Sequence, residues 1–124
     1  MKDGQIHHVE LYVSNLAASV EFWGWLLAKL GYEEFQAWPD GKSWIMDGTY
    51  ITLVQVEKEY GEPPYHRKHV GLNHLAFAVS AEKLSQLRGE LQAKGVGILY
   101  EAENFADKVF FEDTDRIKIE LANY

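Results

Sequence analysis

Cysteine is absent from this chain of 124 residues. Without thiols there can be no disulfide framework, no cysteine nucleophile and no thiolate ligand for zinc. Any metal ion in this protein must therefore be bound by nitrogen and oxygen donors. The five histidines and nineteen acidic residues of the sequence supply such donors.

Long hydrophobic stretches are missing as well. No run approaches the roughly 18 consecutive apolar residues of a membrane-spanning helix, and the opening MKDGQIHH has no apolar segment of the secretory type. We therefore expect a cytoplasmic protein with no membrane partner. Twelve basic residues against nineteen acidic ones give a net charge of -7, which disfavours binding to nucleic acid.

The composition, with 47% hydrophobic and 25% charged residues, is typical of a folded protein. A chain of this length forms one ordinary domain, and we predict a single domain over residues 1–124. Its two halves repeat the same order of patterns. HVELYVS (8–14) precedes an amphipathic run over 16–32, and HLAFAVS (74–80) precedes another over 81–96. The apolar spacing predicts a helix in each run.

Local signals mark the ends of both predicted helices. Ser14 and Ser80 stand near the starts, where a side chain is needed to cap free backbone N–H groups. Gly31 and Gly95 follow the last turns, where a left-handed residue commonly ends a helix.

Short strand-like segments follow each helix and are separated by turn sequences such as PDGK, MDGTY and EDTDR. Each half is thus predicted to be a βαβββ module. Module one spans about residues 5–57, a proline-containing linker about 58–69, and module two about 70–122. The strands predicted after the helices lie at 32–38, 43–47, 50–57, 97–101, 108–112 and 116–122.

Side chains alternate across a strand, which separates the two histidines of IHHVELYV. His7 falls with the apolar residues that we expect to pack on the helix, and we interpret it as a structural residue. His8 falls on the opposite face. His74 lies opposite the apolar face of the second module in the same way, and Glu120 lies opposite the apolar residues of the last strand.

His8, His74 and Glu120 together are a donor set suited to a metal ion. Two neutral imidazoles and one carboxylate leave coordination positions open for water or substrate, as in a facial triad. These donors suit one divalent ion: Fe, Mn, Zn or Ni. Thr52 is the counterpart of Glu120 in the repeat.

Other polar residues are candidates for substrate binding. Tyr12 and Tyr50 fall on the predicted face of His8, where they either donate to a substrate or pack as half-buried sheet residues. In HRKH, residues 66–69, Arg67 and Lys68 either attract an anionic substrate or belong to a solvated loop.

Three segments resemble those of the vicinal oxygen chelate superfamily, which includes glyoxalases, bleomycin-resistance proteins, fosfomycin-resistance enzymes and extradiol dioxygenases. HHVELYVSNLAASVEFWGWLLAKLGY is similar to the opening of the family's first module, and GLNHLAFAVS to that of the second. VFFEDTDRIKIEL is similar to the closing F-x-D-P-D-G-x-x-I-E-L, with Thr114 in place of proline and Arg116 in place of glycine.

The resemblance implies an α+β fold: two tandem βαβββ modules form a cup-shaped mixed sheet, with the helices on its outer face. It places His8, His74 and Glu120 at the family's metal-ligand positions. Thr52 takes the fourth position, where glyoxalase-type lyases usually have glutamate, and we regard it as a substrate-binding candidate. Family members of this length usually form homodimers, and their modules pair within one chain or across two.

The implied activity is that of a divalent-metal-dependent lyase, transferase or dioxygenase acting on a small oxygen-chelating substrate by Lewis-acid catalysis. Glu120, on leaving the metal, or Glu10 would serve as general base. An anionic substrate would suit Arg67. The alternative is a metal-free protein of the bleomycin-resistance kind, which sequesters a small molecule and is expected to lack the metal ligands.

Overall fold

The computed structural model describes all 124 residues. The chain divides into two compact units, Met1–Pro64 and Tyr65–Tyr124, and each unit contains one helix and one mixed sheet. Short 3-10 helices occur at Lys58–Tyr60 and Glu101–Glu103. The other elements are β1 His8–Val13, α1 Leu16–Lys29, β2 Glu33–Trp38, β3 Gly41–Met46, β4 Thr49–Gln55, β5 Leu75–Ala78, α2 Ala81–Ala93, β6 Lys108–Glu112 and β7 Lys118–Ala122.

Unit 1 is a four-stranded sheet in the order β1-β4-β3-β2, on which α1 packs. Strand β1 runs parallel to β4, and the other neighbours are antiparallel. Asp47 and Gly48 connect β3 to β4 with φ angles of 47° and 86°, as expected of Asp-Gly in a tight hairpin. The core of the unit consists of buried apolar side chains: Leu11, Val13, Trp23, Leu26, Leu27, Trp44, Ile51 and Leu53.

Unit 2 is a three-stranded sheet in the order β5-β7-β6, with β5 parallel and β6 antiparallel to β7. Helix α2 contacts β6. The prediction of a strand over 97–101 was wrong: only Leu99 pairs, through a single bridge to Phe110. Tyr100 adopts a left-handed φ of 55°, and the chain then enters a 3-10 helix, so extended pairing ends after one residue.

The helix ends follow the local signals with one change. Helix α1 is capped by Asn15 rather than Ser14, since the Asn15 side chain accepts a hydrogen bond of 3.1 Å from the third helical N–H. Ser80 caps α2 as predicted, with a corresponding bond of 3.0 Å. Gly31 and Gly95 have φ angles of 98° and 81°, which confirms the left-handed residues after both helices. Neither helix is long and apolar enough to cross a membrane.

The turn between β6 and β7 is organised by a buried carboxylate. Asp113 Oδ1 accepts hydrogen bonds of 2.8 Å from the backbone N–H groups of Asp115 and Ile117. Arg116, which stands in place of glycine in the closing motif, adopts a left-handed φ of 65°. That conformation costs an L-residue with a Cβ roughly 1–2 kcal/mol. The turn therefore brings β7, and with it Glu120, into register at some cost in strain.

We expect Arg116→Gly to raise the free energy of unfolding by about 0.5–1 kcal/mol, because glycine relieves the strain at a smaller entropic cost. The change also removes an ion pair with Glu112 at 3.5 Å, but the Arg116 side chain is 68% exposed and such pairs contribute little. Arg116→Ala is the matched control, since it removes the ion pair and keeps the Cβ. Equal urea-unfolding free energies for the two variants would contradict the strain argument.

Candidate functional site

The parallel pairing of β5 with β7 brings His74 to Glu120 in unit 2. Glu120 is opposite Ala76 in the register, and His74 lies two residues before Ala76. His74 Nε2 is 3.0 Å from Glu120 Oε1. The Glu120 side chain is only 4% exposed, whereas that of His74 is 32% exposed. A buried carboxylate is thus held against an imidazole that water or a small molecule reaches.

Tyr124 engages the second oxygen of the same carboxylate, since its hydroxyl donates a hydrogen bond to Glu120 Oε2. This bond raises the pKa of the Tyr124 phenol above its ordinary value, because ionisation would place a negative charge beside the carboxylate. Tyr124 therefore remains a hydrogen-bond donor. Both Glu120 oxygens have partners, which fixes the plane of the carboxylate.

The spacing of His74 and Glu120 fits a shared metal ion. Two donors bound at about 2.1 Å and at right angles lie about 3.0 Å apart, which is the distance found between Nε2 and Oε1. The structure contains no group of three or more histidine, aspartate or glutamate side chains placed to hold an ion. Two of the three predicted ligands belong to unit 2, and the third, His8, belongs to unit 1.

His8 begins β1 and lies on the polar face of that strand, where exposed residues alternate with buried ones. Its Nε2 is 3.5 Å from Glu10 Oε2. The Tyr50 ring stacks on the imidazole, with centroids 4.5 Å apart and an interplanar angle of 1°. His7, which was predicted to lie with the apolar residues, is exposed instead, because β1 begins only at His8 and strand alternation does not extend to it. The His7 ring contacts both His8 and Tyr50.

The other residues predicted for substrate binding in unit 1 lie on the same strand face but differ in exposure. Tyr12 is 67% exposed, and Tyr50 is half-buried against His8. Thr52 is 2% exposed and is paired in the register with Glu10 on one side and Ser43 on the other.

Arg67, the predicted anion-attracting residue, forms an ion pair with Glu112 in unit 2. The Tyr100 phenol, which is close enough to the Arg67 guanidinium to feel its charge, accepts a hydrogen bond of 3.2 Å from Lys118 Nζ. The Lys118 ammonium lies over the Tyr100 and Phe110 rings, 5.3 and 5.4 Å from their centroids. Glu112 lies opposite Lys118 in the register but forms its ion pairs with Arg67 and Arg116. The charge of Lys118 is therefore less neutralised than that of Arg67.

The Lys118 hydrogen bond, and secondarily the nearby Arg67 charge, lower the pKa of the Tyr100 phenol below its ordinary value. Both cations stabilise the phenolate, so we expect Lys118→Met to raise this pKa back toward that of an ordinary tyrosine. Ultraviolet titration of tyrosinate measures the change, and Tyr100→Phe identifies the step. A titration curve that is unchanged in Lys118→Met would contradict the assignment.

Three residues of this region escaped the sequence-based reasoning. Lys118 was visible in principle, because it is two positions from Glu120 on one strand and therefore shares its face. Tyr100 reaches Lys118 through a left-handed turn that strand patterns do not reveal. Tyr124 lies beyond the last strand, and no periodic signal relates it to Glu120.

Comparisons with known proteins agree with this architecture. The family model of the glyoxalase/bleomycin resistance protein/dioxygenase superfamily matches residues 5–121. The uncharacterized protein YqjT of Bacillus subtilis (strain 168) is 50% identical over 123 residues, which cover 94% of this chain and 96% of YqjT. Glutathione transferase FosA of Serratia marcescens is 29% identical over 116 residues, covering 94% of this chain and 78% of FosA.

Among solved structures, a candidate glyoxalase from Bacillus halodurans superposes with a TM-score of 0.95 at 45% identity, covering 98% of this chain and 97% of the other. The α+β fold implied by the opening and closing motifs is confirmed by this match. The family match spans nearly the whole chain, both helices and both sheets included. The chain belongs to the glyoxalase/bleomycin resistance protein/dioxygenase superfamily.

Proposed function

We propose that this protein is a divalent-metal-dependent enzyme that acts on a small, anionic, oxygen-chelating substrate. The observation that carries the proposal is the 3.0 Å approach of His74 Nε2 to Glu120 Oε1, with Glu120 buried. A buried carboxylate is costly unless it has partners. Glu120 Oε1 lies at a distance from His74 Nε2 that suits two ligands of one ion, and this spacing favours a metal centre.

The proposed ligands are His74 and Glu120 of unit 2 and His8 of unit 1, for an Fe, Mn, Zn or Ni ion. The bound ion would supply Lewis-acid stabilisation of negative charge that develops on a substrate oxygen. His74 presents Nε2 from an accessible imidazole, and Glu120 presents a carboxylate whose second oxygen is held by Tyr124. Membership of the glyoxalase/bleomycin resistance protein/dioxygenase superfamily supports the assignment.

Lys118 is proposed to bind the anionic group of the substrate. It shares a strand face with Glu120, and Glu112, which lies opposite it in the register, is paired with Arg67 and Arg116. Tyr100 adds a phenol that accepts a hydrogen bond of 3.2 Å from Lys118 Nζ, and this bond together with the Arg67 charge lowers the pKa of the phenol. Arg67 contributes to the positive potential, but its pairing with Glu112 limits it to a supporting part.

Proton transfer is assigned to a carboxylate. Glu120, on leaving the metal ion, is the proposed proton acceptor. Glu10 is the second carboxylate available, since it is exposed and its Oε2 lies 3.5 Å from His8 Nε2. Thr52, at the position where glyoxalase-type lyases usually have glutamate, cannot serve as a base. Together with the 29% identity to a glutathione transferase, this favours group transfer over the lyase reaction. We further propose that the protein works as a homodimer.

Titration of metal-free protein with Mn(II) tests the proposal. We expect one ion per chain, and tighter binding when a small phosphonate such as methylphosphonate is present. A protein of the bleomycin-resistance kind would bind its ligand with no ion at all. Failure to take up Mn(II), Fe(II), Zn(II) or Ni(II) in stoichiometric amounts would reject the metal-dependent function.

A further inference from the structure

Two lysines flank Glu120 on the polar face of the unit 2 sheet. Lys118 lies two residues before Glu120 on β7 and therefore shares its face. Lys108 begins β6 and is paired in the register with Ala122, which lies two residues after Glu120. Residues directly opposite each other in an antiparallel pair point to the same face. The face that presents Glu120 thus carries a lysine on each side of it along the strand.

The ammonium group of each lysine lies over two aromatic rings. Lys108 Nζ is 4.8 Å from the centroid of the Phe105 ring and 5.2 Å from that of the Tyr124 ring. Lys118 Nζ has two rings beneath it in the same way. Cation–π contacts at exposed sites are weak compared with a charge-assisted hydrogen bond to an oxyanion. An anionic ligand can therefore compete with the rings for both ammonium groups.

The acidic residues near the two lysines leave both charges available to a ligand. Glu112 lies opposite Lys118 but forms its ion pairs with two arginines. The residue opposite Lys108 is an alanine, and Asp107 is its acidic neighbour in the chain. Of the influences that raise the pKa of the Tyr124 phenol, the Asp107 charge is the smallest. Each lysine therefore offers positive charge to an anion on this face.

The register determines how far apart two anionic groups must be to reach both lysines. Lys118 and the level of Lys108 are separated by four strand residues, and such a segment spans roughly 13 Å. The flexible four-carbon stems of lysine allow the ammonium groups to move toward the space between them. A molecule whose two anionic groups are joined by a short carbon chain can bridge this gap, whereas a monoanion reaches only one lysine.

We propose that Lys108 and Lys118 bind the two anionic groups of one substrate, whose chelating oxygens lie between them beside Glu120. Each anionic group is an oxyanion such as a carboxylate, phosphate or phosphonate. The inference rests on the proposed metal-dependent function and narrows its substrate class from an anion to a molecule with two separated anionic groups. Lys108 is then a residue that determines specificity, because it distinguishes a dianionic substrate from a shorter or singly charged one.

Isothermal titration calorimetry with two matched probes tests the inference. Phosphonobutyrate, with its phosphonate and carboxylate at opposite ends, differs from butylphosphonate only in a carboxylate in place of the terminal methyl group. In the presence of Mn(II), we expect the wild type to bind phosphonobutyrate about 5- to 10-fold more tightly. Lys108→Met removes the charge and keeps an apolar stem over the rings, so the two probes should bind equally.

Further variants complete the design. Lys118→Met should also abolish the preference, since one lysine then remains, whereas Lys108→Arg keeps the charge and should retain it. Lys83→Met, on α2, is the matched control and should behave as the wild type does. Thermal unfolding of each variant shows whether its fold is intact.

Two results would overturn the inference. One is that the wild type binds the two probes equally or binds neither. The other is a preference that persists in Lys108→Met, because the carboxylate would then bind elsewhere, for example at the metal ion. If the wild type takes up no metal ion, the proposed function fails. The same comparison on metal-free protein then still decides whether the two lysines bind one dianion.

Discussion

Replacing Glu120 with alanine is expected to weaken Mn(II) binding by more than about 100-fold. Loss of a residue that only hydrogen-bonds to a metal ligand already lowers metal affinity about 10- to 100-fold, and loss of a ligand itself should cost more. Glu120 would be the only anionic ligand of the proposed set. It is also the one that is buried, with His74 and Tyr124 each holding one of its oxygens. No other carboxylate contacts both His74 and Tyr124, so none replaces Glu120 as the anionic ligand. Chelator competition measures the loss.

The fold should survive this substitution, so the result is interpretable. Removal of the carboxylate deprives His74 Nε2 and the Tyr124 hydroxyl of their hydrogen-bond partner. The His74 side chain is 32% exposed and Tyr124 is 79% exposed, so water replaces that partner. Glu82→Ala, at an exposed position in the first turn of α2, is the matched control and should bind Mn(II) as the wild type does. Wild-type affinity in Glu120→Ala would remove Glu120 from the metal site.

Much of the fold could be predicted because local patterns and tertiary packing agree. Helices α1 and α2 have apolar residues at helical spacing and end at glycines that adopt left-handed φ angles. The strand predicted at 97–101 failed because the conformation of Tyr100, a left-handed residue with a Cβ, is decided by its surroundings and not by strand propensity. The Tyr100 phenol accepts a hydrogen bond from Lys118, which is 18 residues away in the sequence.

The contacts of the candidate site likewise fall into those that strand patterns predict and those that depend on loop conformation. His74 and Glu120 could be paired from sequence, because alternation in the predicted strands puts both on the polar face and the repeat relates His74 to His8. The pairing of Arg67 with Glu112 could not, since it depends on how a loop folds against β6. The contacts of His7 with the His8 and Tyr50 rings were also hidden, because β1 begins only at His8 and strand alternation does not extend to His7.

Trp23→Ala should lower the free energy of unfolding by about 3–5 kcal/mol, the usual cost of emptying a large aromatic site in a core. Trp23 is 0% exposed on α1. The helix lies close to the sheet nearby, where a Cβ on Gly24 would already be 3.4 Å from the Trp44 ring. Because backbone and rings are so close there, we expect little collapse into the cavity. Total stabilities of domains are about 5–15 kcal/mol, so the variant should be close to unfolding at moderate urea concentrations.

Trp38→Ala is the matched control, since it removes the same side chain from a different environment. Trp38 is 42% exposed on β2, an edge strand whose residues are all exposed, and its ring covers Gly41. Only part of its surface leaves water on folding, so the expected loss is about 1 kcal/mol. Urea denaturation followed by circular dichroism compares the two variants without relying on tryptophan fluorescence. Equal losses would mean that α1 does not anchor the core of unit 1 through Trp23.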